Sequence, residues 1–186
     1  MKKTLLAFTL LSSLSAFTQN FTLVSNSGIV PVQYSTCKFA DIDGDGDLDL
    51  FAMGGSPNAG SSRMYKNDGT GHFTLHDDQT FIKSREGGTA FGDVNGDGFP
   101  DLIVSGNANG VNTKLYLNDG AGNFSLSPNS NFIGTMNGDV NMADFDNDGD
   151  QDLLIAGNMP SSSGNPALWF RMQLYYNDGN ANFTMA

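Results

Sequence analysis

The sequence predicts an all-β chain of three repeated, four-stranded antiparallel units, and three observations carry that prediction. Landmark residues recur every 51–60 positions. Turn signals recur every eight to twelve residues, and no stretch holds a sustained helical period. Composition agrees: 23 Gly, 14 Phe and 5 Tyr against only 6 Pro in 186 residues suit short strands joined by tight turns. The formal net charge of -11, with only nine Lys and Arg, excludes a nucleic-acid backbone as partner, because phosphate binding needs clustered cations. A cationic partner is the natural one.

From the N-terminus, residues 1–19 read as a secretory signal. Lys2 and Lys3 form its charged start, Thr4 to Phe17 is apolar and small, and cleavage is expected between Ala16 and Asn20. The apolar core falls short of the roughly 20 residues of a membrane span, so the chain is expected to be secreted or held at the cell surface without crossing a bilayer. Cys37 is the only cysteine, and an intrachain disulfide is therefore impossible. Metal is the staple that remains.

Residues 20–186 form one repeat region, with units at approximately 36–75, 87–126 and 138–185. Phe39-Ala40-Asp41 aligns with Phe91-Gly92-Asp93 and Met142-Ala143-Asp144. The first strand of each unit leads into an Asp-rich loop, around Cys37 to Ala40 in the first copy. The second leaves that loop as an apolar run: Leu48 to Met53, Asp101 to Ser105, or Asp152 to Ala156. The third carries Tyr65, Tyr116 or Tyr175 and ends in Asn-Asp-Gly, a hairpin signal, since these residues tolerate positive φ. The fourth is the strand of Phe73, Phe124 or Phe183. An insertion of seven or eight residues around Met159 to Ala167 lengthens the third unit. A further copy of the Phe element, Asn20-Phe21-Thr22, predicts an extra N-terminal strand at Phe21 to Val24.

Four antiparallel strands per unit, stacked on neighbours, describe a propeller blade. A closed propeller takes about four to eight blades, so three units and a spare strand predict an incomplete one. The chain is expected either to be the N-terminal part of a longer protein or to associate with itself through its open edges.

Chemistry concentrates in three nonapeptides. They are Asp41-Ile42-Asp43-Gly44-Asp45-Gly46-Asp47-Leu48-Asp49, Asp93-Val94-Asn95-Gly96-Asp97-Gly98-Phe99-Pro100-Asp101 and Asp144-Phe145-Asp146-Asn147-Asp148-Gly149-Asp150-Gln151-Asp152. Oxygen-bearing side chains stand at positions 1, 3, 5 and 9, a Gly at position 6 permits a sharp turn, and position 7 can offer its backbone carbonyl whatever its side chain, as at Phe99. Five or more converging oxygens suit Ca²⁺, which takes six to eight, better than Mg²⁺, which prefers a smaller octahedron. The loops contain no His or Cys for zinc or copper. Thirteen of the twenty acidic residues lie in them, so mutual repulsion should couple folding to binding of about three calcium ions. An EF-hand does not fit: its twelfth position should be Glu and is Ala52, Val104 or Ile155 here.

The run Phe91-Gly92-Asp93-Val94-Asn95-Gly96-Asp97-Gly98-Phe99-Pro100-Asp101-Leu102 resembles an FG-GAP (VCBS-type) repeat, as found in integrin α-chain propellers, and the likeness extends over nearly all of residues 20–186. The Phe-Gly pair is kept only in this middle copy. The resemblance implies a β-propeller with calcium on its blade loops, serving adhesion, extracellular recognition or assembly of larger secreted proteins.

No acid, base and nucleophile set is evident, so no enzymatic activity is expected. His72 and His76 do not recur between units and read as surface residues. Asn20, Asn123 and Asn182 lie in Asn-x-Ser/Thr sequons generated by the repeat. Trp169, Phe170 and Tyr175 read as core more than as a contact patch. The expected function is a secreted calcium-binding module for an extracellular protein or glycan ligand, the alternative being a non-catalytic accessory region of a larger secreted enzyme.

Overall fold

The computed structural model describes residues 22–56, 59–76, 79–107, 109–159 and 170–186. The signal at 1–19, Trp169 and nearly all of the insertion lie outside them. Among the described residues there are twelve strands: β1 (Gln33–Ala40), β2 (Asp49–Ser56), β3 (Ala59–Asn67), β4 (Phe73–His76), β5 (Thr89–Gly92), β6 (Asp101–Asn107), β7 (Val111–Asn118), β8 (Phe124–Leu126), β9 (Met136–Ala143), β10 (Asp152–Asn158), β11 (Phe170–Asn177) and β12 (Phe183–Met185). They form three antiparallel sheets in the sequential orders β1-β2-β3-β4, β5-β6-β7-β8 and β9-β10-β11-β12. Equivalent residues pair in each, as in Leu50 with Tyr65, Leu102 with Tyr116 and Leu153 with Tyr175. The sheets do not close on themselves, and the architecture is an incomplete propeller.

The sheets stack through side chains that alternate along the second and third strands. Ile42, Phe51, Met53 and Met64 of the first sheet meet Leu102, Val104 and Tyr116 of the second. Val94, Ile103 and Leu115 of the second meet Val140, Leu153, Ile155 and Tyr175 of the third. The apolar runs are buried on both faces in the first and second sheets, Leu50, Ala52 and Tyr65 forming a cluster with Phe73 on the outer side of the first. Leu102, Ile103 and Val104 are fully buried, whereas Leu154 and Ala156, on the outer side of the third sheet, are half-buried.

The connections between sheets wedge into these contacts. Phe81 stands edge-on to Phe51 and Tyr116, and Phe132 stands edge-on to Tyr175 and Phe183. Each connection is tied to the sheet that follows it by a tyrosine hydroxyl that accepts a backbone N–H. The three bonds run from Val30 to Tyr65 at 3.3 Å, Ile82 to Tyr116 at 2.8 Å and Ile133 to Tyr175 at 3.3 Å. The innermost strands β1, β5 and β9 neighbour one another. There, Glu86 N–H donates to Tyr34 O and Asn137 N–H donates to Glu86 O. Tyr34, Glu86 and Asn137 hold equivalent positions and share a left-handed φ of 49°, 55° and 50°, a strain repeated with the unit.

The extra strand expected at Phe21 to Val24 does not form over its described part. Thr22–Val24 lie outside any strand and are exposed, because no neighbouring strand offers them a ladder. The segment after them is nonetheless held to the first sheet, where Phe73 N–H donates to Ser27 O at 2.8 Å.

Candidate metal centre

Each Asp loop joins the first strand of its sheet to the second. Position 1 organises it as an Asx-type turn, its two carboxylate oxygens accepting backbone N–H groups from positions 4 and 6. Asp41 takes them from Gly44 and Gly46 at 2.8 and 3.0 Å. Asp93 takes them from Gly96 and Gly98, and Asp144 from Asn147 and Gly149. Position 6 has φ between 89° and 101° in the three copies, which only glycine adopts without strain.

Position 9 is the buried end of the loop. Asp49, Asp101 and Asp152 are almost wholly enclosed, and both oxygens of each accept backbone N–H groups. One bond comes from position 2 (Ile42, Val94, Phe145) at 2.9–3.1 Å. The other comes from the Asn of the Asn-Asp-Gly turn (Asn67, Asn118, Asn177) at 2.8–2.9 Å. This residue therefore ties loop, second strand and third strand together. Burial pushes the Asp101 carboxyl up to about 6 against those two hydrogen bonds, and raises Asp49 in the same way.

Positions 1, 3 and 9 converge. Carboxylate oxygens of Asp41, Asp43 and Asp49 lie within 4.8 Å of one another, and so do those of Asp144, Asp146 and Asp152. In the middle loop position 3 is Asn95, whose amide donates to Asp97 Oδ2 at 2.8 Å. Position 5 turns to the loop backbone: Asp45, Asp97 and Asp148 each accept the N–H of position 7 at 2.9 Å. The side chain at position 7 meets its own Asn-Asp-Gly turn. A Cβ built on Gly69 would fall 2.5 Å from Asp47, one on Gly120 2.5 Å from the Phe99 ring, and one on Gly179 2.6 Å from Asp150. Phe99 and the two Asp residues thus share a contact with that turn.

The donor set fits a hard cation, being all oxygen with no His or Cys. Asp43 Oδ1 is buried and has no hydrogen-bond partner, while its other oxygen meets Lys66 Nζ at 2.8 Å. An orphaned carboxylate oxygen beside two further carboxylates is an arrangement that a metal ion satisfies. In the third loop, desolvation and the neighbouring carboxylates raise Asp146 and Asp150.

Sequence reasoning missed the second task of the Asn in Asn-Asp-Gly. Asn118 Nδ2 donates to Ile42 O at 2.9 Å and Asn177 Nδ2 to Val94 O at 2.8 Å, so this side chain bridges to the preceding Asp loop. Its strict recurrence at the repeat period was the available signal. His76, expected at the surface, is half-buried and lies 3.2 Å from Gly122 O in the second sheet. Tyr175 is core, whereas Phe170 is exposed. Asn123 and Asn182 are exposed, but their amides bond to Asp119 and Asp178. No helix among the described residues is long and apolar enough to cross a membrane.

The family model for the FG-GAP-like repeat matches twice, over residues 41–104 and 93–155. Each match runs from the first Asp of one loop into the second strand of the following sheet, and together they cover more than half of the chain. No curated protein matches it. The chain belongs to the FG-GAP-like repeat family.

Proposed function

We propose that the chain is a secreted, non-catalytic calcium-binding module that presents an extracellular recognition surface for a protein or glycan, with calcium in its three Asp loops as a structural ion. The observation that carries this reading is the convergence of carboxylates from positions 1, 3 and 9, with the orphaned Asp43 Oδ1 among them. Asp41, Asp43, Asp49 and their counterparts would hold the ion, with the position 7 carbonyl in reach of the same loop. When bound, calcium neutralises carboxylates that otherwise repel one another. The chain's own residues do the rest. Position 1 shapes the turn, position 9 fixes the loop to the sheet, and the turn Asn carries that order to the next sheet. Secretion is supported by the charged start and apolar run of residues 1–19.

Thermal unfolding in calcium, in magnesium and in chelator tests the reading. Extracellular sites of this kind bind with Kd of about 0.1–1 mM, so each contributes about 0.4–1.4 kcal/mol at about 1 mM calcium. Three sites then raise Tm by about 3–15 °C, with magnesium giving less. A chain that melts at one temperature in all three conditions refutes a structural role for calcium.

A further inference from the structure

We propose that the Lys66 ammonium is the resident counter-ion of the first Asp loop, so that this loop depends less on calcium, and binds it more weakly, than the third loop does. The inference rests on the calcium reading of the loops and adds that the three are not equivalent.

Lys66 stands in β3 between Tyr65 and Asn67. Side chains alternate along a strand, so it shares the face of Met64, which packs with Ile42 and the second sheet. From there its Nζ donates to Asp43 Oδ2 at 2.8 Å and to Ala121 O at 3.1 Å. The second bond crosses to the turn of the next sheet. That turn also closes on the lysine stem, since a Cβ on Gly122 would lie 3.2 Å from Lys66 Cε. The ammonium is therefore held from two sides beside Asp41, Asp43 and Asp49, whose oxygens converge within 4.8 Å.

The equivalent residues of the other units, Leu117 and Tyr176, carry no charge. Leu117 packs into the core between the second and third sheets. The three loops consequently meet their own carboxylates in different ways. The first has an ammonium on the carboxylate of position 3. The middle loop has Asn95 at that position, and its amide donates to Asp97 Oδ2. The third has Asp146, which converges with Asp144 and Asp152, and among the described residues no Lys, Arg or His forms an ion pair with it.

A monovalent cation already at Asp43 works against a divalent ion in two ways. It offsets part of the repulsion among the carboxylates, which leaves less for calcium to relieve. It also repels the incoming ion, or has to be moved off Asp43 with loss of its bonds. Binding is weakened and not abolished, because the ammonium takes only Oδ2 and leaves the buried Oδ1 without a partner. The Lys66 and Asp43 side chains keep 35% and 18% of their exposure, and a partly exposed ion pair adds little to the stability of a whole domain. The effect therefore belongs to the loop and its calcium.

Calcium titration followed by amide resonances reads each loop separately. The probes are the position 6 glycines Gly46 and Gly149, whose N–H groups donate to Asp41 and Asp144. In the wild type Gly149 should reach its midpoint at a calcium concentration about three- to tenfold lower than Gly46, the scale of one unit charge acting on a divalent ion through a solvated loop. Lys66→Met keeps an unbranched stem against Gly122 and removes the charge. It should lower the Gly46 midpoint by about that factor and leave Gly149 where it was. In chelator the same variant should speed amide hydrogen exchange at Gly44 and Gly46 several-fold, while Gly149 exchanges as before. Unchanged resonances of Leu102 and Leu115 in the core of the second sheet show that the variant keeps the fold. Equal midpoints for Gly46 and Gly149 in the wild type, a Gly46 midpoint that Lys66→Met does not lower, or unaltered exchange at Gly44 and Gly46 overturns the proposal and leaves the calcium reading standing. If no loop resonance moves with calcium, the calcium reading falls and this inference with it.

Discussion

Residues of one chemical type divide into two kinds within each Asp loop. Asp101 holds two buried backbone N–H groups, from Val94 and Asn118, whereas Asp97 lies on an exposed turn. Asp101→Ala strands both donors, and leaving buried polar groups unsatisfied costs about 1–3 kcal/mol apiece. Urea unfolding in chelator should therefore show a loss of at least about 1 kcal/mol for Asp101→Ala and none for Asp97→Asn, which keeps an oxygen for Phe99 N–H. In calcium both variants should lose part of the metal's stabilisation. Equal effects in chelator would remove the distinction between the buried position 9 and the exposed position 5. The sequence placed every one of these residues in a loop, but nothing in a nonapeptide reveals that the carboxylate at position 9 is enclosed and also braces the following strands.

At the scale of elements, the connections between sheets are structural parts. The tyrosine of each third strand accepts an N–H from the connection, and that connection in turn wedges Phe81 or Phe132 between sheets. Tyr116→Phe keeps the ring and removes the acceptor of Ile82 N–H, so it should lower stability by about 0.5–1.5 kcal/mol. Hydrogen exchange at Ile82 should accelerate more than at Ile133, which keeps Tyr175. Uniform acceleration would mean that the connections are not held independently. The twelve strands were legible because Tyr, Phe and Asn-Asp-Gly recur in register. Thr22–Val24 were not, since their Phe-containing repeat resembles a strand while the partners that make one are absent beside them.

For the whole molecule, the sign of the pH response follows from the buried carboxylates. Asp101 titrates near 6 in the metal-free fold because of its burial, against about 3.9 in an unfolded chain. Below about 4 both states hold the proton. Between about 4 and 6 the unfolded state loses it first, so the metal-free fold loses stability as pH rises through that window. Calcium holds the carboxylate ionised and opposes this, so the gain in Tm from calcium should shrink between pH 7 and pH 5. Asp68, Asp119 and Asp178 act oppositely and lower down. Hydrogen bonds from Thr70, Asn123 and Asn182 depress them, and their contribution fades only as pH falls below about 4. A calcium shift that stays constant from pH 7 to 5 would separate the metal from these groups.

The sequence by itself determined the repeat, the order of strands within a unit and the residue types at each Asp loop, because period, turn chemistry and oxygen-bearing side chains are local properties of the chain. Tertiary structure decided which carboxylates meet, that one of them also braces the sheet, how the turn Asn reaches the loop before it, and why Phe145 is exposed where Ile42 is buried. Those outcomes depend on what lies across a contact between sheets, and equivalent positions of a repeat differ in surroundings whenever one of them stands at an open face.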